Sequence, residues 1–293
     1  MGYLLCFVVV FINLFEGIIV KNHTKKHGNG GMLVNALTSF FALIFFIIAE
    51  ATERAEGVIF TFPKELMPYA FVSVIMYILG FYFTYAAYKI GPFGLTKLIA
   101  SFSLLFPIIY GLFFLNEGAT VFTYIGIVLM FASMVAINLN KKRGDEENKG
   151  FSLKWLIFIL ISATANGMIS ILTRMQQIEF NDTCSNEFMI ISLAGCCISL
   201  FLMGFIKEKK NSFDVLRKCA VAGVLTGVFN GLKNFTTILI YLYIPISIAS
   251  PFKAGAGIVV AFLASMFLYR EKYSKIQLLG VLLGTLSIVL LRL

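Results

Sequence analysis

Four ionisable residues stand inside long apolar runs: Glu16, Lys97, Lys233 and Lys253. In hydrocarbon an ionised side chain costs on the order of 3 kcal/mol, so each should face a cavity, a partner or an interface. Lys253 lies eight residues past Pro245, about 12 Å along a helix, and Lys97 five past Pro92, about 8 Å. The two lysines suit a cavity that attracts a carboxylate or phosphate, although each also has the stem length to snorkel to an interface. Lys233 is far from either neighbouring break, at Lys218 and Pro245, and shares its run with Asn230, Asn234, Thr236 and Thr237. That polarity fits a cavity-lining face with Lys233, Asn230 and Asn234 as binding groups. The alternative is structural neutralisation of Lys233, for which Glu16 is the only carboxylate well inside a run. Glu16 in turn either takes up and releases a proton or pairs at the interface with Lys21. Tyr85, with Tyr82, Tyr88, Tyr241 and Tyr243, either lines the same cavity or sits at a membrane surface.

Other chemistries find little footing. A hydrolase or transferase needs a nucleophile with its base, or a metal set. Here both histidines, His23 and His27, share one loop, no H-E-x-x-H occurs, and no Asp falls inside an apolar run. The five cysteines are odd in number and contain no C-x-x-C, so they read as small packing residues rather than disulfides or metal ligands. Neither an enzyme nor a cofactor or metal site is expected.

The elements that must hold these residues follow from composition. Of 293 residues 59% are hydrophobic and 13% charged, with 31 Phe, which excludes a water-soluble globule. The net charge of +9 sits mainly in short connectors, a membrane-orientation pattern rather than the basic, aromatic-bearing face of a nucleic-acid reader. Apolar runs predict ten spans: Gly2–Val20, Met32–Ala49, Leu66–Tyr88, Phe93–Leu115, Ala119–Leu139, Trp155–Thr173, Phe188–Ile206, Ala220–Tyr243, Ile244–Tyr269 and Ile276–Leu291. None shows the period-2 alternation of a membrane barrel, so the fold class is an all-α polytopic membrane protein. The first run lacks a basic flank before it and a small-residue cleavage site after it, and is expected to stay as a span.

The polar connector 140–152 divides the spans five and five, predicting one five-helix unit over 1–139 and a second over 153–293. A shift of 154 residues superposes Phe113 on Phe267, Glu117 on Glu271, Gly126 on Gly280, Leu129 on Leu283, Ser133 on Ser287 and Val135 on Val289. Upstream, YKIGP at Tyr88 to Pro92 matches YLYIP at Tyr241 to Pro245. A repeat with an odd number of spans inserts its second copy upside down, an arrangement associated with secondary transporters. Glu117 and Glu271 end apolar runs and are expected to fix helix ends and loop geometry rather than to touch a substrate. Gly223, Gly227 and Gly231, and Gly280 with Gly284, read as helix-packing steps. Connectors after odd-numbered spans carry 17 Lys and Arg against 4 on the other side, which places both termini outside the cytoplasm.

The segment Tyr243 to Leu291 resembles the drug/metabolite transporter superfamily, in particular its ten-span EamA-like members and their four-span small multidrug-resistance relatives. The resemblance is carried by Pro245, Ser247, Ala249, the run Gly255-Ala256-Gly257-Ile258-Val259, Glu271 and Gly280, and in the first half by Pro92, Glu117 and Gly126. It implies alternating access around a central cavity, in a superfamily whose members move amino acids, sugars, nucleotide sugars, phosphorylated metabolites or drugs. Four-span relatives place a substrate-stacking Trp where this chain has Lys253, and many members have Trp-Gly where this chain has Glu16-Gly17. Their first-span Glu exchanges a proton, which makes Glu16 the coupling candidate. Ten-span members usually have cytoplasmic termini, opposite to the charge count.

The expected function is therefore secondary-active transport, in the plasma (inner) membrane, of a small metabolite with an anionic or carboxylate group: an amino acid, organic acid or phosphorylated metabolite. A multidrug or cation exporter is the alternative, and one Glu against three Lys argues away from it. The expected partners are the substrate, the bilayer and a coupling proton or ion, but no nucleic acid; a homodimer is compatible with this topology.

Overall fold

Long apolar runs bounded by charged connectors leave the backbone one way to satisfy its N–H and C=O groups in lipid, and the chain takes it by coiling. The computed structural model describes residues 1–27, 31–55, 63–90, 102–118, 120–139, 153–208, 212–269 and 275–291, and among them every regular element is helical. In chain order these are α1 (Gly2–His27), α2 (Gly31–Ala55), α3 (Leu66–Ile90), α4 (Leu105–Ile109), α5 (Val121–Leu139), α6 (Leu153–Glu179), α7 (Ser185–Glu208), α8 (Ser212–Tyr243), α9 (Ile246–Tyr269) and α10 (Lys275–Leu290). A 3-10 turn, Phe102–Leu104, leads into α4, and a π turn, Tyr110–Phe114, leaves it.

Among the described residues, five segments are long and apolar enough to cross a bilayer: Gly31–Glu53, Leu66–Thr84, Leu153–Glu179, Ser185–Lys207 and Ser212–Tyr243. Four shorter apolar helical stretches accompany them: Gly2–Glu16, Leu105–Phe114, Val121–Ser133 and Leu278–Ser287. Several helices are longer than their apolar runs: the first continues past Val20 to His27 and the second past Ala49 to Ala55. The sixth continues past Thr173 through Arg174, Gln176 and Gln177 to Glu179, and the eighth begins at Ser212 rather than Ala220. Polar side chains end an apolar run without ending a helix, because the backbone ladder continues regardless of what the side chains carry.

The helices pack α2 against α7 and α8, α3 against α6 and α7, α1 against α8 and α9, and α5 against α10. Small residues set the closest approaches. On α8 a Cβ at Gly227 would lie 2.5 Å from Phe41 Cβ and 2.8 Å from the carbonyl of Thr38, and one at Gly231 would lie 2.8 Å from Phe45 Cβ. The stepped glycines are the surface on which α2 rests, as their spacing predicted. Between them Thr38 and Thr226 share a hydroxyl hydrogen bond of 2.7 Å. Thr84 and Ser162 join α3 to α6 in the same way. Ala42, Phe46, Phe188, Leu193 and Ile238 form the main buried cluster. A second gathers Cys6, Tyr241, Ile246, Ala249 and Phe252 where α1, α8 and α9 meet. All five cysteines are buried and none is in a disulfide. Large apolar side chains such as Phe71, Phe113, Val128, Val221 and Leu282 point outward, as lipid requires and water would not.

Further polar contacts join the chain's halves. On the α5–α10 pair, Ser133 donates to the carbonyl of Gly280 at 2.6 Å and Ser287 to that of Gly126 at 2.8 Å. Further along, α8 ends and α9 begins at Pro245, which has no side-chain oxygen with which to cap the new helix. Glu117 supplies the cap: its carboxylate accepts from the N–H of Ile246 at 3.1 Å, the N–H of Ser247 at 2.9 Å and the Ser247 hydroxyl at 2.6 Å. An anion at a helix N-terminus meets both orphan donors and the positive end of the dipole. Asn116 just before it takes a left-handed φ of 49°, turning the chain so that Glu117 faces α9. Glu117 fixes a helix end, although the end belongs to the other half of the molecule. Glu271, its repeat partner, lies outside the described residues.

Candidate functional site

Glu16 sits just past the middle of α1, and Lys233 and Asn230 lie three residues apart on α8, a spacing that brings both to one helix face. α1 packs along that face. Lys233 Nζ donates to Glu16 Oε2 at 2.6 Å, and Asn230 Nδ2 donates to Oε1 at 3.3 Å. Asn234 Nδ2, one turn on, donates to Asn230 Oδ1 at 2.9 Å. Each oxygen of the carboxylate thus has its own donor, which is what a membrane-embedded ion pair requires to be tolerable. The pairing observed is the one weighed for Lys233, its neutralisation by Glu16, rather than an interfacial pair of Glu16 with Lys21. The side chain of Lys21 lies outside the described residues.

Asn234 also faces a cavity of about 50 Å³ between α3, α6, α7 and α8. Tyr77, Ser170, Thr173, Met189, Thr237 and Tyr241 contribute to its wall. A water needs roughly 10–15 Å³ of such space, so the cavity has room for a few waters and not for a metabolite. The wall mixes hydroxyls, an amide and aromatic edges. A hydrogen-bonded chain runs from it through Asn234 and Asn230 to the Glu16–Lys233 pair.

Tyr241 carries cations on two sides. Lys253 Nζ stands 5.0 Å from its ring centroid, within cation–π range. Arg174 Nη1 donates to its backbone carbonyl at 3.0 Å. That carbonyl belongs to the last turn of α8, where intrahelical donors run out. Gln177 likewise donates to the carbonyl of Ile238 at 3.1 Å. No group of metal-ligating side chains occurs among the described residues.

The structure thus brings Glu16, Lys233, Asn230 and Asn234 into one network and puts Lys253 over a cavity-wall tyrosine. Tyr85 falls on α3, but its side chain lies outside the described residues, as does Lys97. Arg174 went unnoticed in the sequence because it follows directly on the apolar run ending at Thr173 and so counts as a connector charge. The available signal was helical register: Ser170 and Arg174 are four apart, and Thr173 and Gln177 are four apart.

The sequence profile of the EamA-like transporter family matches residues 1–139 and 153–293. No curated protein matches the chain. Among solved structures, a crystal structure at 14% identity and a TM-score of 0.72 covers 99% of this chain and 95% of its own, a likeness of fold.

Proposed function

Because the chain belongs to the EamA-like transporter family, and so is an integral membrane transporter, we propose that it carries a small metabolite with an anionic or carboxylate group across the plasma (inner) membrane. The observation that carries the proposal is the charge balance at the cavity. Lys233 is neutralised by Glu16, whereas Lys253, over the Tyr241 ring, has no carboxylate partner among the described residues. A cation standing against a cavity-wall tyrosine without a counter-ion favours an anionic guest over a neutral or cationic one.

In this reading the ten apolar runs form two inverted sets of five, and the halves rock about the cavity. The mirrored bonds Ser133 to Gly280 and Ser287 to Gly126 support a two-fold relation between the halves. Room for only a few waters means that cargo enters in a different arrangement of the same helices. Glu16 is the coupling group: protonation would release Lys233 and pass through Asn230 to Asn234 at the cavity wall.

The test is uptake into proteoliposomes of labelled carboxylates, phosphorylated metabolites and quaternary ammonium compounds. Saturable counterflow of an anion, lowered about tenfold or more by Lys253→Ala, is expected. Unchanged flux in both Lys233→Ala and Lys253→Ala overturns the anionic site. Movement of lipophilic cations alone favours the exporter.

A further inference from the structure

The turn of α6 that follows the cavity wall is short of partners. Gln176 and Gln177 are both fully buried, yet Gln176 Nε2 and Gln177 Oε1 have no hydrogen-bond partner, and neither has the buried Nε of Arg174. The other end of each side chain is used: Gln176 Oε1 accepts from Ser185, Gln177 Nε2 donates to Ile238, and Arg174 Nη1 donates to Tyr241. Capping the end of α8 occupies one of the five N–H donors of Arg174. A structural cap therefore accounts for the residue's position but not for its free donors.

Register places these groups beside the cavity. Ser170 and Thr173 line it, and Arg174 and Gln177 each follow one of them by four residues, one turn further along the same helix. Leaving a buried donor or acceptor unpaired costs about 1–3 kcal/mol, and more where the group is charged. Among the described residues Arg174 has no carboxylate partner. Water satisfies a lone donor but leaves a guanidinium charge beside the cavity uncompensated.

We propose that Arg174 is a cargo-binding residue, its Nε edge taking the carboxylate of the transported molecule while Gln177 Oε1 accepts from an N–H or O–H of that molecule. The inference rests on the anionic-cargo reading and deepens it: the cargo carries a carboxylate and a hydrogen-bond donor within one residue's reach of each other. Arg174 and Lys253 then flank Tyr241 as two cations for one anion. Guanidinium geometry favours a planar carboxylate, which it can meet with two parallel bonds.

The experiment uses the full chain in detergent at pH 7, with unfolding followed through its single tryptophan, Trp155, which is buried. The probes are acetate, acetamide and chloride, the salts at equal ionic strength. Acetate at 100 mM should raise the unfolding midpoint by about 2 °C or more over chloride. Acetamide should not. Arg174→Gln should abolish the acetate shift, and Arg174→Lys, which keeps the charge without the fork, should retain part of it, so one of the two reports even if the other fails to fold. An equal acetate shift in Arg174→Gln, an equal shift with acetamide, or no acetate shift in the natural chain overturns the site. Flux separates this from the broader reading. Anion transport lost in Lys253→Ala but intact in Arg174→Gln overturns Arg174 alone, whereas a chain that moves only neutral or cationic cargo overturns the transport reading itself.

Discussion

Ser133 on α5 donates its hydroxyl to the carbonyl of Gly280 on α10 across 2.6 Å. The same bond recurs with the roles exchanged, Ser287 to Gly126 at 2.8 Å, and both pairs are related by the 154-residue shift. Bonds exchanged between equivalent residues of two helices are the pattern that a local two-fold, the self-complementary form of interface, produces. Interhelical hydrogen bonds in membranes contribute about 0.6 kcal/mol on average and up to ~1.7. Ser133→Ala and Ser287→Ala should therefore each lower the unfolding midpoint in detergent by a similar, small amount, about 2 °C. The double variant should lose about twice as much. A large asymmetry between the two single variants would show that the contacts are not equivalent.

Lys233 and Glu16 predict a different pattern, because their charges depend on each other. The side chains are 21% and 18% exposed, so the pair is neither at the surface nor fully dry. Removing one partner strands the other: Lys233→Ala or Glu16→Gln should each destabilise by about 1–3 kcal/mol, below the ~3–5 expected for a fully buried pair. The double variant should recover much of that loss. A thermodynamic cycle measured by thermal unfolding checks this, and additive losses would show that the two side chains do not act as a pair.

How far such contacts are legible in a sequence depends on what the partner is. Glu117, Gly126 and Ser133 announce themselves through their repeat mates, yet what they bond is backbone: the N–H groups of Ile246 and Ser247 and the carbonyls of Gly280 and Gly126. Any residue type supplies those atoms, so no pattern of side chains reveals them. Glu16 and Lys233 could be matched in advance because few charges enter the apolar runs and Glu16 was the only carboxylate available. The cavity could not be placed, since its wall mixes Tyr77, Ser170 and Asn234 from three helices whose contacts follow from packing. Arg174 was hidden by the convention that an apolar run ends at its first charge, although α6 continues five residues beyond it.

Glu117 should prove to be structural. It holds two backbone donors and one hydroxyl at the start of α9, a site that Pro245 leaves without a side-chain cap. Glu117→Ala should cost about 1–2 kcal/mol, the upper range for helix caps, because the acceptor is charged. Glu117→Gln keeps one acceptor oxygen and should lose less. Ser247→Ala removes a single one of the three bonds and should lose least. The order Ala at 117, Gln at 117, Ala at 247, read from unfolding midpoints, is the signature of a shared cap. Full stability in Glu117→Ala would mean that the helix start finds other acceptors.

The glycines of α8 and α9 separate packing from flexibility. At Gly227 an added methyl meets Phe41 Cβ at 2.5 Å and the Thr38 carbonyl at 2.8 Å, and the latter is backbone that cannot swing aside. Gly227→Ala therefore forces α2 away from α8, disturbing the Thr38–Thr226 bond one step along the same interface. Overpacking of this kind typically costs about 1–3 kcal/mol. At Gly257, by contrast, nothing lies within 4 Å of an added Cβ, and α9 is helical there. Gly257→Ala should be neutral or gain up to about 1 kcal/mol from helix propensity. The two substitutions make the same chemical change in the same kind of helix, so opposite shifts in unfolding midpoint isolate the contact with α2 as the cause. Equal destabilisation at both positions would instead point to a need for glycine's backbone freedom, and would remove the packing account of the stepped glycines.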